Sequence, residues 1–198
     1  MIAIIDYGAG NIASICNMFR YIGLEVEITR DANVISKASH IVLPGVGAFD
    51  RGMQKIREYG LDRILAEEVL IKKKPTLGIC LGMQLMGRSS EEGVEEGLGW
   101  IEMDTFRLPN ETLKVPHMGW NEISGVNKNP LVIEEKQRFY FVHSYYVKPK
   151  NQVTSIMKTS YGLEFTSAVM ADNILGVQFH PEKSHRYGMS LLSNFGAL

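Results

Sequence analysis

The chain has 198 residues, of which 45% are hydrophobic and 22% are charged, and its formal net charge at pH 7 is -1. These values suit one globular domain, which we expect to span residues 1–198, and they give no reason to expect nucleic acid or an acidic membrane as a partner. The apolar start meets Asp6 without a preceding basic segment, and no apolar run approaches the ~20 residues of a membrane helix. Two cysteines do not make a disulfide framework, so we expect a soluble cytoplasmic protein.

Predicted strands and predicted helices alternate along the first half of the chain. In chain order, they lie at 2–5, 12–22, 25–28, 40–43, 50–58, 61–71 and 76–79. This alternation predicts a mainly parallel sheet flanked by helices, in which ligands bind outside the carboxyl ends of the strands. Three glycine-rich loops, at 8–10, 45–47 and 78–82, fall at that edge and locate the functional site there.

The second half of the chain has a different sequence pattern, with short segments rich in β-branched and aromatic residues. They predict further strands, some of them antiparallel, at 100–108, 112–115, 138–147, 153–158, 164–170 and 174–179. A final helix is predicted to begin at Ser184 and to carry Met189, Leu192 and Phe195 on one face. We therefore expect an α/β fold with additional antiparallel strands in the C-terminal half.

The turn Gly8-Ala9-Gly10 partly matches a dinucleotide-binding fingerprint. Ala13 stands where the third glycine would be, and no acidic residue clearly ends the second strand. Because short glycine motifs are weak evidence alone, we do not favour a nucleotide site at this turn.

The segment Pro75–Leu85 predicts a displayed nucleophile. An apolar strand leads into Cys80, which stands between Gly78 and Gly82, and a helix follows. Glycines at these positions let neighbouring backbone approach where a Cβ would clash, and the helix N-terminus favours a thiolate. Cys16, in contrast, lies on the apolar stripe of the first helix and is interpreted as a buried core thiol.

A cysteine nucleophile needs a base, and the base needs an orienting group. The chain offers five histidines, which are His40, His117, His143, His180 and His185. His180 follows an apolar strand in the sequence Phe179-His180-Pro181-Glu182, where the nearby carboxylate can return to one ring nitrogen. Together with the cysteine turn, this order predicts a Cys80-His180-Glu182 triad.

Several segments resemble the signature blocks of the class I (triad) glutamine amidotransferases. The resemblance rests first on three blocks, which are 44–47, 78–84 and 179–184. The segments 116–121 and 140–145 narrow it to the glutaminase subunits of imidazole glycerol phosphate synthase, over essentially the whole chain. It implies a flavodoxin-like α/β fold, and it implies neither a cofactor nor a metal.

This resemblance implies the role of each residue in the chemistry. Cys80 would attack the side-chain amide of glutamine, His180 would move the protons, and Glu182 would hold His180 in the correct tautomer. The oxyanion would be met by the backbone N–H of Leu81 and by an N–H from the loop that contains Val46 and Gly47.

The resemblance also implies how the substrate is held. Gln84 and Glu92 would grip the amino-acid end of glutamine, and backbone groups of His143, Ser144 and Tyr145 would meet its carboxylate. The acidic cluster around Glu92 is otherwise typical of a solvated loop, and only its spacing from Cys80 singles it out.

The partner implied by the resemblance is a HisF-type (β/α)8-barrel cyclase, which would form a heterodimer with this chain and receive its ammonia in histidine biosynthesis. The docking surface would include Asn11, Trp120, Asn121, Tyr140 and Lys183. Trp and Tyr are frequent interface anchors, and Gly119-Trp120-Asn121 is interpreted as a loop that exposes Trp120.

Three alternatives stay open at the level of the sequence. The segment 185–189 looks somewhat like that of related glutaminases that feed ammonia to surface-sugar amidotransferases. A Cys-His hydrolase or peptidase of related fold would share the cysteine turn, although Gln84 and the loop at 44–47 argue against it. A non-catalytic binding subunit conflicts with the intact triad.

Overall fold

The computed structural model, which describes residues 1–125, 127–132 and 137–198, is organised around an eleven-stranded mixed sheet. The strands of the molecule are β1 (Ile2–Ile5), β2 (Val26–Thr29), β3 (His40–Leu43), β4 (Thr76–Ile79), β5 (Ser89–Ser90), β6 (Met103–Arg107), β7 (His117–Glu122), β8 (Ser124–Gly125), β9 (Arg138–His143), β10 (Tyr145–Pro149), β11 (Ser155–Ser160), β12 (Glu164–Ala171) and β13 (Ile174–Val177). The main path of the sheet is β2-β1-β3-β4-β13-β12-β10-β6-β5, with β11 and β8 beside β12, while β7 and β9 form a separate pair.

Helices cover both faces of this sheet. They are α1 (Ile12–Tyr21), α2 (Ala32–Lys37), α3 (Phe49–Glu58), α4 (Leu61–Ala66), α5 (Leu81–Leu85) and α6 (His185–Gly196). In β1, Ile2 and Ile4 pack into one buried cluster and Ala3 and Ile5 into another, because successive side chains of a strand point to opposite faces. None of the helices among the described residues is long and apolar enough to cross a membrane.

The predicted α/β architecture is confirmed. The strands β2, β1, β3, β4 and β13 pair in parallel. Because β1 and β13 are buried along their whole length, they are unbroken apolar runs in the sequence. The strands β12 and β10 run antiparallel to their neighbours, as predicted for the C-terminal half. The final helix has Ser184 at its N-cap position and buries Leu192 and Phe195, with Met189 half-buried beside them.

Three predictions about local structure are wrong. Residues 112–115 form no strand, because the N–H of Leu113 closes a turn by donating to the carbonyl of Pro109. The predicted strand 138–147 is two strands, β9 and β10, which are separated at Ser144. Gly119-Trp120-Asn121 lies inside strand β7 and not in a loop, because β7 pairs along its length with β9, a contact between segments distant in sequence.

The register of the parallel strands assembles the functional site. Gly78 pairs with Leu43 on one side and with Gly176 on the other, and Ile79 pairs with Val177. The residues that follow these strands therefore emerge side by side at one edge of the sheet. This places the loop after β3, the cysteine turn after β4 and the histidine segment after β13 next to one another.

Candidate active site

Cys80 occupies the sharp turn between β4 and α5. Its backbone has φ 53° and ψ −109°, a conformation that residues other than glycine rarely adopt. A Cβ at Gly82 would overlap the carbonyl of Leu43, and a Cβ at Gly78 would lie 2.8 Å from the backbone of Met83. The two glycines thus permit the close approach of strand and helix that forces Cys80 into this strained conformation, of the kind that is found at functional sites.

His180 and Glu182 form a buried pair. Nδ1 of His180 lies 2.7 Å from Oε1 of Glu182, and both side chains are 1% exposed. Nε2 of His180 is buried and has no hydrogen-bond partner of good geometry among the described residues, so no other group of the described protein occupies it. The backbone N–H of His180 donates to the carbonyl of Tyr140, which ties the histidine segment to β9.

The electrostatics of this pair favour a charged imidazole. Burial lowers the pKa of His180, but interactions with Cys80 and Glu182 outweigh it and raise the pKa to about 10. His180 is therefore protonated at neutral pH. A neighbouring imidazolium favours the thiolate form of a cysteine, which is the nucleophile.

A cavity of roughly 510 Å³ opens in front of Cys80. It is lined by Val46, Gly47, Ala48, Cys80, Leu81, Gln84, Glu92, Pro116, Val142, His143, Ser144 and Tyr145. The structure thus brings together around one cavity all the residues predicted to form the oxyanion hole and to hold the substrate. His180 and Glu182 are not in its lining. Among the described residues, no three His, Cys, Asp or Glu side chains converge to hold a metal ion.

Two acceptor groups in the cavity wall suit a positively charged ligand group. Nε2 of Gln84 donates to the carbonyl of Tyr145 at 3.2 Å and to Oε1 of Gln178 at 3.1 Å, so the polar atom left for a ligand is the acceptor Oε1. Oε2 of Glu92 accepts from the N–H of Phe49 at 2.9 Å, at the start of α3. Its carboxylate thereby stays anchored beside the cavity. An ammonium group is the natural ligand for this pair.

His143 is held as a neutral imidazole. Its Nδ1 donates to the carbonyl of Tyr145 at 2.8 Å, so its Nε2 accepts from Nδ1 of His117 at 3.0 Å. Burial lowers the pKa of His143 to about 3 and that of His117 to about 4. His143 therefore offers no positive charge to a ligand carboxylate, and backbone groups of this loop remain the donors expected from the sequence.

The predicted oxyanion donors lie at the cavity, but one of them already donates a hydrogen bond within the protein. The N–H of Leu81 donates to the carbonyl of Gly45 at 3.3 Å. The hydroxyl of Tyr7, which sequence reasoning missed, donates to the carbonyl of Pro44 at 2.5 Å and is fully buried. The loop after β3 is thus held at two successive carbonyls. Gly47, with φ 114°, has a backbone conformation that favours glycine.

Three of the predicted partner residues, Trp120, Tyr140 and Lys183, form an aromatic patch with His185 beside the histidine segment. Trp120 is 40% exposed, stacks on His185 with ring centroids 5.6 Å apart, and meets Tyr140 edge-on at 6.4 Å. Nζ of Lys183 lies 5.6 Å from the centre of the Tyr140 ring. We call Trp120, Tyr140, Lys183 and His185 the aromatic patch.

The two asparagines predicted for the docking surface differ from each other. Nδ2 of Asn121 donates to the carbonyl of Ser160 at 2.9 Å, so this side chain is engaged within the molecule. Asn11 is exposed at the start of α1, and its side chain makes no capping hydrogen bond. It is therefore free to contact another molecule.

Gln178 is a site residue that sequence reasoning missed. It is fully buried, and its Nε2 donates to Sγ of Cys80 at 3.6 Å. The available signal was a lone polar residue two positions before His180 at the end of an apolar strand. Residues two apart in extended chain share a face, so Gln178 belonged on the same side as the histidine.

Comparison with known proteins identifies relatives over the full length of the chain. The family model for glutamine amidotransferase class-I matches residues 3–197. The chain is 55% identical to imidazole glycerol phosphate synthase subunit HisH 2 of Methanococcus maripaludis and 51% identical to subunit HisH 2 of Pseudomonas aeruginosa, in each case over 98% of both chains. It is 45% identical to subunit HisH of Bdellovibrio bacteriovorus over 100% of both chains.

Solved structures share the fold at low sequence identity. A glutamine amidotransferase crystal structure superposes with a TM-score of 0.79 at 16% identity and covers 100% of both chains. A chain of the PurLQS structure from Thermotoga maritima superposes with a TM-score of 0.75 at 17% identity, covering 98% of this chain and 96% of that one. These likenesses agree with the observed mixed sheet and its flanking helices.

Proposed function

Because the chain belongs to the class I glutamine amidotransferases and, within them, to the HisH subunits of imidazole glycerol phosphate synthase, we propose that it hydrolyses L-glutamine to glutamate and ammonia at Cys80. The observation that carries the proposal is the position of Cys80, which stands in a strained turn in the cavity wall and interacts with the buried His180–Glu182 pair. Nucleophile, base and orienting group are thus present in one place.

The first half of the reaction releases ammonia. The thiolate of Cys80 attacks the side-chain amide carbon of glutamine, and the carbonyl electrons move to the oxygen. When the tetrahedral intermediate collapses, the carbon–nitrogen bond breaks and His180 gives its Nε2 proton to the departing nitrogen. Ammonia leaves, a thioester remains on Cys80, and His180 becomes neutral.

The second half restores the enzyme. Neutral His180 takes a proton from water through Nε2, and the hydroxide formed attacks the thioester carbon. The carbon–sulfur bond then breaks, glutamate leaves, and the thiolate–imidazolium pair is restored. Glu182 makes this possible because it accepts from Nδ1, which leaves Nε2 as the nitrogen that exchanges protons.

Substrate selection follows from the polar groups of the cavity. The free Oε1 of Gln84 and the anchored carboxylate of Glu92 bind the α-ammonium group of glutamine. The backbone of His143, Ser144 and Tyr145 meets its α-carboxylate. A residue within a peptide has neither charged group, so this arrangement favours free glutamine over a peptidase substrate.

The proposed partner is a HisF-type (β/α)8-barrel cyclase that docks on the aromatic patch and Asn11. Ammonia in water is protonated and lost, so its release is useful only beside an acceptor site. We therefore propose a heterodimer in which the ammonia passes to the cyclase for imidazole glycerol phosphate synthesis, a step of histidine biosynthesis. We further propose that residues 1–198 act as one glutaminase domain in the cytoplasm, where the free thiols of Cys16 and Cys80 stay reduced.

The chemistry is tested with the purified chain and L-glutamine. Glutamate release is expected from the wild type and from Cys16→Ser, the matched control at the other cysteine, and is expected to be lost in Cys80→Ser. Glutamate release that survives in Cys80→Ser, or cleavage of glutamine-containing peptides instead of glutamine, would refute the proposal.

The partner is tested separately by titrating the chain with a purified HisF-type cyclase and, in parallel, with the barrel component of a surface-sugar amidotransferase. Tight binding of the cyclase and glutamine-dependent amination of its substrate are expected. Binding and amination only with the sugar-modifying protein would contradict the proposed pathway and leave the glutaminase chemistry intact.

A further inference from the structure

The side chain of Gln178 is placed beside the nucleophile by the register of two parallel strands. Ile79 pairs with Val177, and the N–H of Cys80 donates to the carbonyl of Val177 at 2.8 Å. Cys80 and Gln178 are therefore the next residues of neighbouring strands. From this position Nε2 of Gln178 reaches Sγ of Cys80 at 3.6 Å.

We propose that Gln178 is a further catalytic residue, which donates an N–H from Nε2 to the sulfur of Cys80 and stabilises its thiolate. The inference rests on the proposed glutaminase function and adds a residue that contacts the reacting atom. Its role differs from that of His180, because an amide does not titrate and cannot move a proton in the reaction.

Burial makes this hydrogen bond consequential. Gln178 is 0% exposed, and a buried amide without a partner costs free energy, so its two polar ends are fixed by the groups they meet. A neutral thiol is a weak acceptor, whereas a thiolate makes a charge-assisted hydrogen bond that is about twice as strong. The contact with Gln178 therefore strengthens as Cys80 ionises.

The sulfur of Cys80 has a second polar contact, which also influences the position of this atom. Sγ of Cys80 lies 4.0 Å from the carbonyl of Val142, to which a thiol proton can be donated. Once that proton is lost, this carbonyl repels the sulfur while Gln178 attracts it. The two neighbours together favour a position of the thiolate close to Nε2 of Gln178.

Gln178 also connects the sulfur to the substrate pocket. Its Oε1 accepts from Nε2 of Gln84 at 3.1 Å, and Gln84 lines the cavity with its remaining acceptor. Gln84 and Gln178 thus form one hydrogen-bonded chain that ends at Cys80. An ammonium group bound at Gln84 polarises this chain in the direction that strengthens donation to the thiolate.

Two substitutions of Gln178 separate its contact with Cys80 from its contact with Gln84. Gln178→Met removes both the donor to sulfur and the acceptor for Gln84 at similar volume. Gln178→Glu keeps an oxygen for Gln84 and places a second oxygen where the donor stood. The matched control is Gln137→Met, because Gln137 is also a buried glutamine, at 4% exposed, and its Oε1 has no partner among the described residues.

The decisive readout is the pH dependence of Cys80 alkylation by iodoacetamide, followed by mass spectrometry of the peptide that contains Cys80 so that Cys16 does not contribute. In both Gln178 variants the midpoint is expected to rise by about one pH unit, and kcat for glutamine is expected to fall about tenfold. The midpoint in Gln137→Met should match the wild type. Gln178→Met should additionally raise the KM for glutamine, because Gln84 loses a partner.

An unchanged alkylation midpoint in both Gln178 variants, with only a lower melting temperature, would overturn the inference and show that Gln178 is merely structural. Alkylation does not require glutamine turnover. If the wild type does not hydrolyse glutamine, the proposed function fails, and the shift of the midpoint still decides the role of Gln178.

Discussion

The backbone N–H of Leu81 donates to the carbonyl oxygen of Gly45 at 3.3 Å. The N–H that should stabilise the oxyanion is thus occupied by the loop that should supply the second donor. A donor in an oxyanion hole is worth roughly a hundredfold or more in kcat. We therefore predict that the loop after β3 moves before the proposed oxyanion hole is complete.

We predict that the isolated chain hydrolyses glutamine slowly and that the cyclase partner, with its own substrate bound, raises kcat about a hundredfold. The physical reason is that the partner stabilises the loop conformation in which Gly45 releases Leu81. Glutamate release measured with and without the liganded partner checks this. Equal turnover in the two conditions would mean that the hole forms without the partner.

Tyr7 holds the same loop from the other side. Burial raises the pKa of Tyr7, so its hydroxyl stays protonated and donates to Pro44 at any assay pH. We predict that Tyr7→Phe raises the basal kcat of the isolated chain about tenfold and lowers its free energy of unfolding by about 1 kcal/mol, since the loop loses one restraint.

The matched control for this change is Tyr161→Phe, which removes a hydroxyl that donates to the carbonyl of Lys114 at 2.7 Å. It should leave basal turnover unchanged. Basal kcat and urea unfolding of the two variants give the comparison, and a basal rate in Tyr7→Phe at or below the wild-type rate would disprove the restraint.

Glu182→Gln should change both the rate and the pH dependence of stability. Burial lowers the pKa of His180, but interactions with Cys80 and Glu182 raise it to about 10, against about 6.5 in an unfolded chain. The stabilisation from this raised pKa is fully present below about pH 6.5 and is lost as the pH rises towards 10. In Glu182→Gln the imidazolium loses its carboxylate partner, so kcat should fall at least about a hundredfold.

The measurement is the difference in free energy of unfolding between wild type and Glu182→Gln, taken at several pH values from 6 to about 10. Groups that titrate equally in both proteins cancel in this difference. It should be largest at the acidic end and shrink as the pH rises. A difference that stays constant over this interval would mean that Glu182 does not raise the pKa of His180.

Lys183→Ala tests the aromatic patch as a docking surface. Lys183 is exposed and lies over the Tyr140 ring, so its removal should leave folding intact while it weakens cyclase binding about tenfold. Affinity by titration calorimetry and the melting temperature of the variant check this. The control is Lys150→Ala, which should bind the cyclase normally. It removes another exposed lysine, whose Nζ lies 3.7 Å from Oε1 of Glu102. Unchanged affinity in Lys183→Ala would place the interface elsewhere.

The cysteine turn could be predicted from the sequence because its causes are local. An apolar strand, two glycines around Cys80 and a following helix lie within eleven residues, and the structure shows the strained strand–turn–helix geometry that they imply. His180 and Glu182 are two residues apart, so their contact also needed no knowledge of the rest of the fold.

The parts that were missed depend on contacts between distant segments. The residue types around Trp120 favour a loop, and only its pairing with Tyr140 in β9 makes that segment a strand. Gln178 meets Cys80 because β4 and β13 are neighbours in the sheet although they are far apart in the chain. The engagement of Leu81 by Gly45 likewise depends on where the loop after β3 lies, which residue types alone do not determine.

The central claim, that Cys80 is the nucleophile of a glutaminase, is tested most directly with a glutamine analogue that carries a diazoketone in place of the amide. Peptide mass spectrometry after incubation should show one analogue on Cys80, added at a rate that excess L-glutamine reduces, with glutaminase activity lost in step with labelling. Attachment to Cys16 or to another residue, or no attachment while the protein hydrolyses glutamine, would contradict the claim.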